Sequence, residues 1–155
     1  GSITTPPPVS TPDPTVNWQT YKSDTFNFSV KYPSSWYLTR CGPGEAALFN
    51  PKTVPECAGE PYEPIQFFSS PDSQTEDEYA TSVGPEFKLI PKAKIKEASI
   101  THYKYQVDKA QPAPGPDNYI IIRVPMSNGT FTIYVFDPSQ EQTVDLILST
   151  FKFTN

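Results

Sequence analysis

Two cysteines, Cys41 and Cys57, are the residues best suited to a covalent cross-link. They flank a segment rich in proline and glycine. In an oxidising compartment, a disulfide that closes a loop of this size stabilises a domain by about 3 kcal/mol. A zinc site needs four ligands at short spacing, and this chain has no CxxC pair and a single histidine. The pattern therefore leaves a disulfide or two free thiols, and we favour the disulfide.

Three glutamates in the proline-rich segment 51–64 are candidate ligands for a divalent metal. They are Glu56, Glu60 and Glu63, and carboxylate oxygens suit hard cations such as Ca²⁺. They converge on one ion only if the segment folds back on itself, and the chain has no DxDxDG calcium loop. We expect no bound cofactor, with Ca²⁺ or another divalent metal at these glutamates as the alternative.

A second acidic group, Glu76, Asp77 and Glu78, is consecutive in the chain. Adjacent residues of a helix point in different directions, so these three carboxylates do not converge on one ion. Negative charge is favourable in the first turn of a helix. The group therefore predicts solvated charges at a helix start.

Nucleophilic catalysis requires a serine or cysteine beside a histidine base, and His102 is the single histidine of the chain. It alternates with Tyr103, which predicts a solvated position on the wetter face of a strand. The chain has no GxSxG motif. Residues 42–47, GPGEAA, fit a dinucleotide fingerprint only superficially, because a proline interrupts the loop and a strand pattern follows. We therefore predict no catalytic residue and no enzyme activity.

Four lysines, Lys88, Lys92, Lys94 and Lys96, form the basic cluster of an acidic chain with net charge −5. Such a stripe either touches an anionic lipid or polymer, or keeps a strand edge soluble. We favour the soluble edge. With 12 Lys and Arg against 17 Asp and Glu, the composition excludes extensive phosphate contacts, so we expect no nucleic-acid partner.

The first 16 residues differ in composition from the rest. Gly1 and Ser2 are typical of a scar left by tag removal, and residues 3–16 are rich in proline and threonine. Such a segment favours extended polyproline II and has nothing with which to pack a core. We expect a disordered linker at 1–16 and a single domain at 17–155. A spacer of this kind leads us to expect a membrane anchor or a lipid-modified cysteine upstream.

Hydrophobic patterning predicts strands of alternating or continuous apolar residues and two helices. The predicted strands are 26–32, 36–38, 45–50, 65–69, 95–108, 119–124 and 130–136, with a hairpin at Asn128-Gly129. The predicted helices are 74–83 and 139–151, the second with Asp137 as N-cap. The nearly continuous apolar run YIIIRV at 119–124 indicates cover on both faces. We therefore predict an α+β fold, an antiparallel six- or seven-stranded sheet flanked by helices.

Two aromatic-rich blocks stand at the ends of the domain. The first runs from Trp18 to Trp36 and closes with YPSSW, and the second is ILSTFKF at 147–153. Together they resemble PsbP-like domains, as found on extracytoplasmic, membrane-anchored proteins of bacteria. The resemblance spans about residues 17–153, with the middle similar only in the order of elements. It implies a helix-sheet-helix sandwich outside the cytoplasm, with no known catalytic machinery.

The resemblance carries no binding residue over to this chain. PsbP itself is an extrinsic protein of photosystem II linked to calcium, chloride and manganese retention, and no matching ligand motif occurs here. We predict a non-enzymatic, monomeric domain tethered to a bacterial membrane, as in a lipoprotein, that binds or presents an envelope protein or polymer. An exposed sheet edge or the segment 51–64 is the expected contact. The alternative is a small-ligand or divalent-metal-binding module of the cell envelope that uses Glu56, Glu60 and Glu63.

Overall fold

The computed structural model describes residues 13–41, 46–50, 65–70, 74–82, 87–97, 100–112 and 117–154. Within these ranges the chain forms ten strands and two α-helices. The strands are β1 (Gln19–Ser23), β2 (Phe28–Tyr32), β3 (Tyr37–Cys41), β4 (Ala46–Asn50), β5 (Ile65–Ser70), β6 (Phe87–Glu97), β7 (Ile100–Lys109), β8 (Asn118–Met126), β9 (Gly129–Val135) and β10 (Lys152–Phe153). The helices are α1 (Glu76–Ser82) and α2 (Glu141–Ser149), and a 3₁₀ turn, Pro138–Gln140, leads into α2.

All neighbouring strands pair antiparallel, which confirms the predicted α+β class. The largest sheet has the order β5-β9-β8-β7-β6, and a smaller sheet has the order β1-β2-β10. The β3–β4 hairpin lies beside β5. The described strands outnumber the predicted six or seven, because β1 and β10 each carry a single apolar residue and because the predicted strand 95–108 covers the end of β6 and most of β7.

One face of the large sheet packs against α2 and the smaller sheet to form the main core. Even-numbered residues of β8 and odd-numbered residues of β9 supply the sheet side of this core, as the two-residue period of a strand requires. The core side chains include Phe28, Val30, Ile120, Ile122, Val124, Phe131, Ile133, Val135, Val144, Ile147, Leu148 and Phe151. Val144, Ile147 and Leu148 of α2 are buried at helical spacing, so they form the apolar stripe that the sequence predicts.

The opposite face of the large sheet is covered by α1. Ile121 and Arg123 of β8 point to this face, and both are buried. Arg123 contacts Glu76 and Tyr79 of α1. The YIIIRV strand is thus covered on both faces, and the predicted helix-sheet-helix arrangement is confirmed.

His102 is buried, with 2% of its surface exposed, so the predicted solvated position is wrong. The prediction assumed that one face of β7 meets water. In the structure Ile100, His102 and Lys104 are buried on the face of β7 toward α2, while Tyr105 on the other face is buried as well.

Two local predictions can be compared directly with the described turns. Asp137 does cap the turn before α2, because its Oδ1 accepts a hydrogen bond from the Ser139 N–H at 3.0 Å. The β8–β9 hairpin forms with Met126 paired to Gly129, so its two loop residues are Ser127 and Asn128. The predicted hairpin is confirmed with its loop shifted by one residue.

A turn at Asp13–Val16 precedes β1. Thr15 is buried, and Asp13 Oδ1 accepts hydrogen bonds from the Thr15 N–H at 2.9 Å and the Thr15 hydroxyl at 2.7 Å. These hydrogen bonds lower the pKa of the Asp13 carboxyl below its ordinary value. The described domain therefore includes this turn, and the division into a linker at 1–16 and a domain at 17–155 stays a prediction.

Lys104 fastens α2 to the large sheet. Its Nζ lies 3.0 Å from Glu141 Oε1 and 2.9 Å from Asp145 Oδ1, and only 7% of its side chain is exposed. Burial acts to lower the pKa of the Lys104 ammonium, but the hydrogen bonds to Asp145 and Glu141 outweigh it and the pKa is raised. The side chain is therefore held in its charged form between two carboxylates one turn apart on α2.

We expect Lys104→Met to lower the free energy of unfolding by about 1–2 kcal/mol, because charge-assisted hydrogen bonds in a buried setting are lost. Lys22→Met is the matched control. Lys22 Nζ lies 3.7 Å from Asp24 Oδ1, the two side chains are 62% and 88% exposed, and such surface pairs contribute little. Urea unfolding of both variants measures the difference. Equal losses in the two variants would contradict the role given to Lys104.

Candidate functional site: a groove beside helix α1

An open groove lies between α1 and the β6–β7 edge of the large sheet, and we call it the α1 groove. It encloses about 380 Å³. Its lining comes from three elements: Glu76, Asp77 and Ala80 of α1, Pro91, Ala93 and Lys94 of β6, and Tyr103, Lys104 and Tyr105 of β7.

An irregularity in the β6–β7 pairing shapes the floor of the groove. The register shifts between Pro91 and Ala93. Proline has no N–H to donate to the ladder, and so is tolerated at an edge or a bulge. Lys94 pairs with Tyr103 across the strands, and its Nζ lies 5.7 Å from the centre of the tyrosine ring. The floor is therefore apolar, while α1 supplies negative charge to the rim and Lys94 supplies positive charge.

Helix α1 has no buried residue and is held to the sheet by two side chains. The Tyr105 hydroxyl donates a 2.5 Å hydrogen bond to Glu76 Oε1. Arg123 Nε lies 3.8 Å from Glu76 Oε2, and Arg123 Cζ lies 3.8 Å from the centre of the Tyr79 ring. We call these four residues, Glu76, Tyr79, Tyr105 and Arg123, the Arg123 cluster.

Two members of the Arg123 cluster, Glu76 and Tyr105, line the α1 groove, and the cluster is weakly solvated. Burial raises the pKa of the Tyr79 hydroxyl well above its ordinary value. Burial and the hydrogen bond to Glu76 also raise the pKa of the Tyr105 hydroxyl. Burial also raises the pKa of Tyr134, which lies on β9. All three phenols are therefore neutral at physiological pH.

The structure corrects the prediction for the acidic group of α1. Asp77 and Glu78 are exposed as expected, but the Glu76 side chain is only 19% exposed and is engaged by Tyr105 and Arg123. Sequence reasoning also missed Arg123. The available signal was a single cation inside the otherwise apolar run YIIIRV, since a charge buried in a central strand requires a partner.

The predicted site residues lie mostly outside the described ranges. The residues outside those ranges are Glu56, Glu60, Glu63 and Cys57. Cys41 is the last residue of β3, and its side chain is not among those described. The disulfide and the divalent-metal site stay predictions. In the described ranges, no group of three His, Cys, Asp or Glu side chains is arranged to hold a metal ion.

The lysine cluster lies on β6, which is one of the two edge strands of the large sheet. Lys88, Lys94 and Lys96 are exposed, as the soluble-edge interpretation predicts. Among the parts of the chain that the structure describes, no helix has the length and apolar character that crossing a membrane requires.

We expect Glu76→Ala to lower the free energy of unfolding by about 2 kcal/mol, because it leaves the Arg123 guanidinium buried without its carboxylate. Adding Arg123→Met to this variant should recover most of the loss, since an apolar side chain replaces the uncompensated cation. A double-mutant cycle by urea unfolding measures the coupling. Additive losses from the two substitutions would contradict the pairing.

The comparisons with known proteins concern the fold. No protein-family model and no curated protein sequence matches this chain. The solution structure of cyanobacterial PsbP (CyanoP) from Synechocystis sp. PCC 6803 is similar, with a TM-score of 0.50 and 13% identity, over 88% of this chain and 92% of that chain. A crystal structure from Bacteroides thetaiotaomicron has a TM-score of 0.45 and 16% identity, over 88% of this chain and 48% of that chain. The similarity to the cyanobacterial structure shows the PsbP-like fold that the two aromatic-rich blocks predict.

Proposed function

We propose that this chain is a non-enzymatic, extracytoplasmic domain, tethered to a bacterial membrane, that binds another envelope component in the α1 groove. The observation that carries the proposal is the groove itself. Ligand sites are typically concave, mostly apolar and provided with a few polar groups that orient the ligand. The α1 groove has an apolar floor at Pro91, Ala93 and Tyr103, with charges of both signs at its rim.

The titratable groups of the groove support binding over catalysis. A general acid or base works best with a pKa close to the operating pH. The pKa of Tyr105 and the pKa of Lys104 are both raised, away from neutrality. Lys104 is also bound to Glu141 and Asp145, so it is charged and occupied. Neither group is therefore placed to transfer a proton to a ligand in the groove, which supports binding over catalysis.

The location rests on the proline-rich spacer and on the resemblance of the two aromatic-rich blocks to extracytoplasmic PsbP-like domains. Detergent phase partition of the native protein, with protease treatment of intact cells, tests both the tether and the side of the membrane. Recovery in the detergent phase together with cleavage in intact cells is the expected result. Recovery in the aqueous phase and protection from protease would overturn the proposed location.

Site-specific photo-crosslinking tests the groove. A photoreactive amino acid at position 80 lies in the groove, and the same amino acid at position 81 lies on the same helix outside the lining. Both positions are exposed. In cells of the native host we expect a discrete adduct from position 80 and a much weaker one from position 81. Ala93→Arg should remove the adduct from position 80, because the larger side chain fills the groove. Equal labelling from the two positions, or no adduct from either, would overturn the groove as the binding site.

A further inference from the structure

We propose that Arg123 is the core of a carboxylate-binding site in which Glu76 acts as an internal stand-in for the ligand. A carboxylate that enters the α1 groove would replace Glu76 beside Arg123 and Tyr105. This inference rests on the proposed function, because it names the chemistry that the groove recognises.

The first support is the incomplete hydrogen bonding of Arg123. A guanidinium has five N–H donors, and its side chain here is only 2% exposed. Nη2 donates to the Gln74 carbonyl at 3.3 Å, whereas Nε and Nη1 have no hydrogen-bond partner among the residues described. Buried polar groups are normally satisfied, so two unmatched nitrogens with three N–H donors on a buried cation indicate a site built for a further acceptor.

The second support is the geometry of Glu76. Arginine and a carboxylate at their best form two parallel hydrogen bonds of about 2.8 Å. Glu76 Oε2 lies 3.8 Å from Arg123 Nε, and Glu76 Oε1 is already bonded to the Tyr105 hydroxyl. Glu76 therefore supplies the charge that Arg123 needs without matching its donors. A ligand that is free of the α1 backbone can approach the guanidinium more closely.

The third support is access from the groove. Glu76 and Tyr105 line the α1 groove and also contact each other, whereas Arg123 is absent from the lining. Glu76 thus stands between the groove and the guanidinium. The inference requires the Glu76 side chain to turn toward the solvent, so that a carboxylate in the groove takes its place beside Arg123.

The lining selects the class of anion. The floor of Pro91, Ala93 and Tyr103 suits a short apolar stem attached to the carboxylate. Asp77 at the rim repels a doubly charged group such as a phosphate more strongly than a singly charged carboxylate. The site is therefore assigned to a monocarboxylate on a short apolar chain, of the kind that an acidic side chain presents.

Chemical rescue tests the site with propionate, which reproduces the side chain of Glu76. In Glu76→Ala we expect sodium propionate to raise the unfolding midpoint saturably, by about 2–5 °C above sodium chloride of equal ionic strength. Adding Arg123→Met should abolish this rise. Equal midpoints in propionate and chloride would overturn the site, and a larger rise with methylphosphonate would overturn the assignment to a carboxylate.

Glu76→Gln provides a second test that does not depend on the stability of Glu76→Ala. It preserves the shape of residue 76 and an acceptor for Tyr105, but removes the competing charge. In an NMR titration of the tyrosine rings we expect this variant to bind propionate at least about tenfold more tightly than the unsubstituted chain. Equal affinities would overturn the role of Glu76 as a stand-in.

The two proposals fail in different experiments. Propionate binding that requires Arg123, without any crosslink from position 80, would leave the carboxylate site intact and refute the envelope partner. A crosslink specific to position 80, with propionate indistinguishable from chloride, would support the partner and refute the carboxylate site.

Discussion

Phe28→Ala is expected to lower the free energy of unfolding by about 3–5 kcal/mol, since truncation of a buried phenylalanine loses apolar burial and leaves a cavity. Phe28 is 0% exposed at the centre of an aromatic cluster. Its ring centre lies 4.8 Å from that of Phe151, 5.1 Å from that of Phe131 and 6.0 Å from that of Tyr21. The cavity would open where β2, β9 and the end of α2 meet. Urea unfolding followed by far-UV circular dichroism measures the loss.

Phe153→Ala is the matched control for this prediction. Phe153 pairs with Phe28 across β2 and β10, but its side chain is 40% exposed and contacts Phe151 edge-on at 5.6 Å. We expect a loss below about 1 kcal/mol. If Phe28→Ala does not fold, Phe28→Leu should still cost about 1–2 kcal/mol. Losses of similar size at positions 28 and 153 would contradict the placement of the core.

The second large effect is a steep loss of stability at alkaline pH. The pKa values of Tyr79, Tyr105 and Tyr134 are raised chiefly by burial, and that of Lys104 is raised by its two carboxylates. A raised pKa means that the unfolded chain loses its proton first. The stabilisation is therefore complete below the unfolded pKa, about 10 for both residue types, and is lost as pH rises through the folded values.

Each such group lowers the free energy of unfolding by up to about 1.4 kcal/mol per pH unit above that point. We expect urea unfolding at several pH values to show a plateau up to about pH 9.5 and a fall of several kcal/mol by about pH 12. Tyr79→Phe and Tyr134→Phe should each make the fall shallower, because each removes one titrating proton.

Phe131→Leu is the control that separates the effect of tyrosine ionisation on stability from a loss of stability that does not depend on pH. Phe131 is buried and does not titrate, so its replacement should lower stability by the same amount at every pH. If the free energy of unfolding falls with pH as steeply in Tyr79→Phe and Tyr134→Phe as in the unsubstituted chain, the assignment of the alkaline transition to buried phenols is contradicted.

Much of the fold could be predicted from local patterns. The alternation of Phe28, Val30 and Tyr32 predicts β2 because a strand turns its side chains to opposite faces in a period of two. The cap at Asp137 depends on contacts within two residues, so the local sequence suffices. The residues before β2 were less predictable. Asn27 adopts a positive φ of 57°, which places it in a turn and not in the predicted strand.

The candidate site was mostly beyond prediction because its members come from distant parts of the chain. Glu76 lies on α1, Tyr105 on β7 and Arg123 on β8. Their meeting depends on the order β8-β7-β6 in the sheet and on the face that α1 covers. Neither is encoded in spacing along the chain, since the same strands can pair in many orders. The burial of His102 was beyond prediction for the same reason, because it depends on the packing of α2 against β7.

By itself, the sequence determined the α+β class, the antiparallel strands and the cover on both faces of β8, because these follow from periodicity, caps and apolar runs. The tertiary structure alone decided that α1 lies over Arg123, that Glu76 leaves the solvent to meet it, and that a groove opens beside them. The physical reason is that a charge in a helix and a charge in a strand have no preferred relation until packing brings the two elements together.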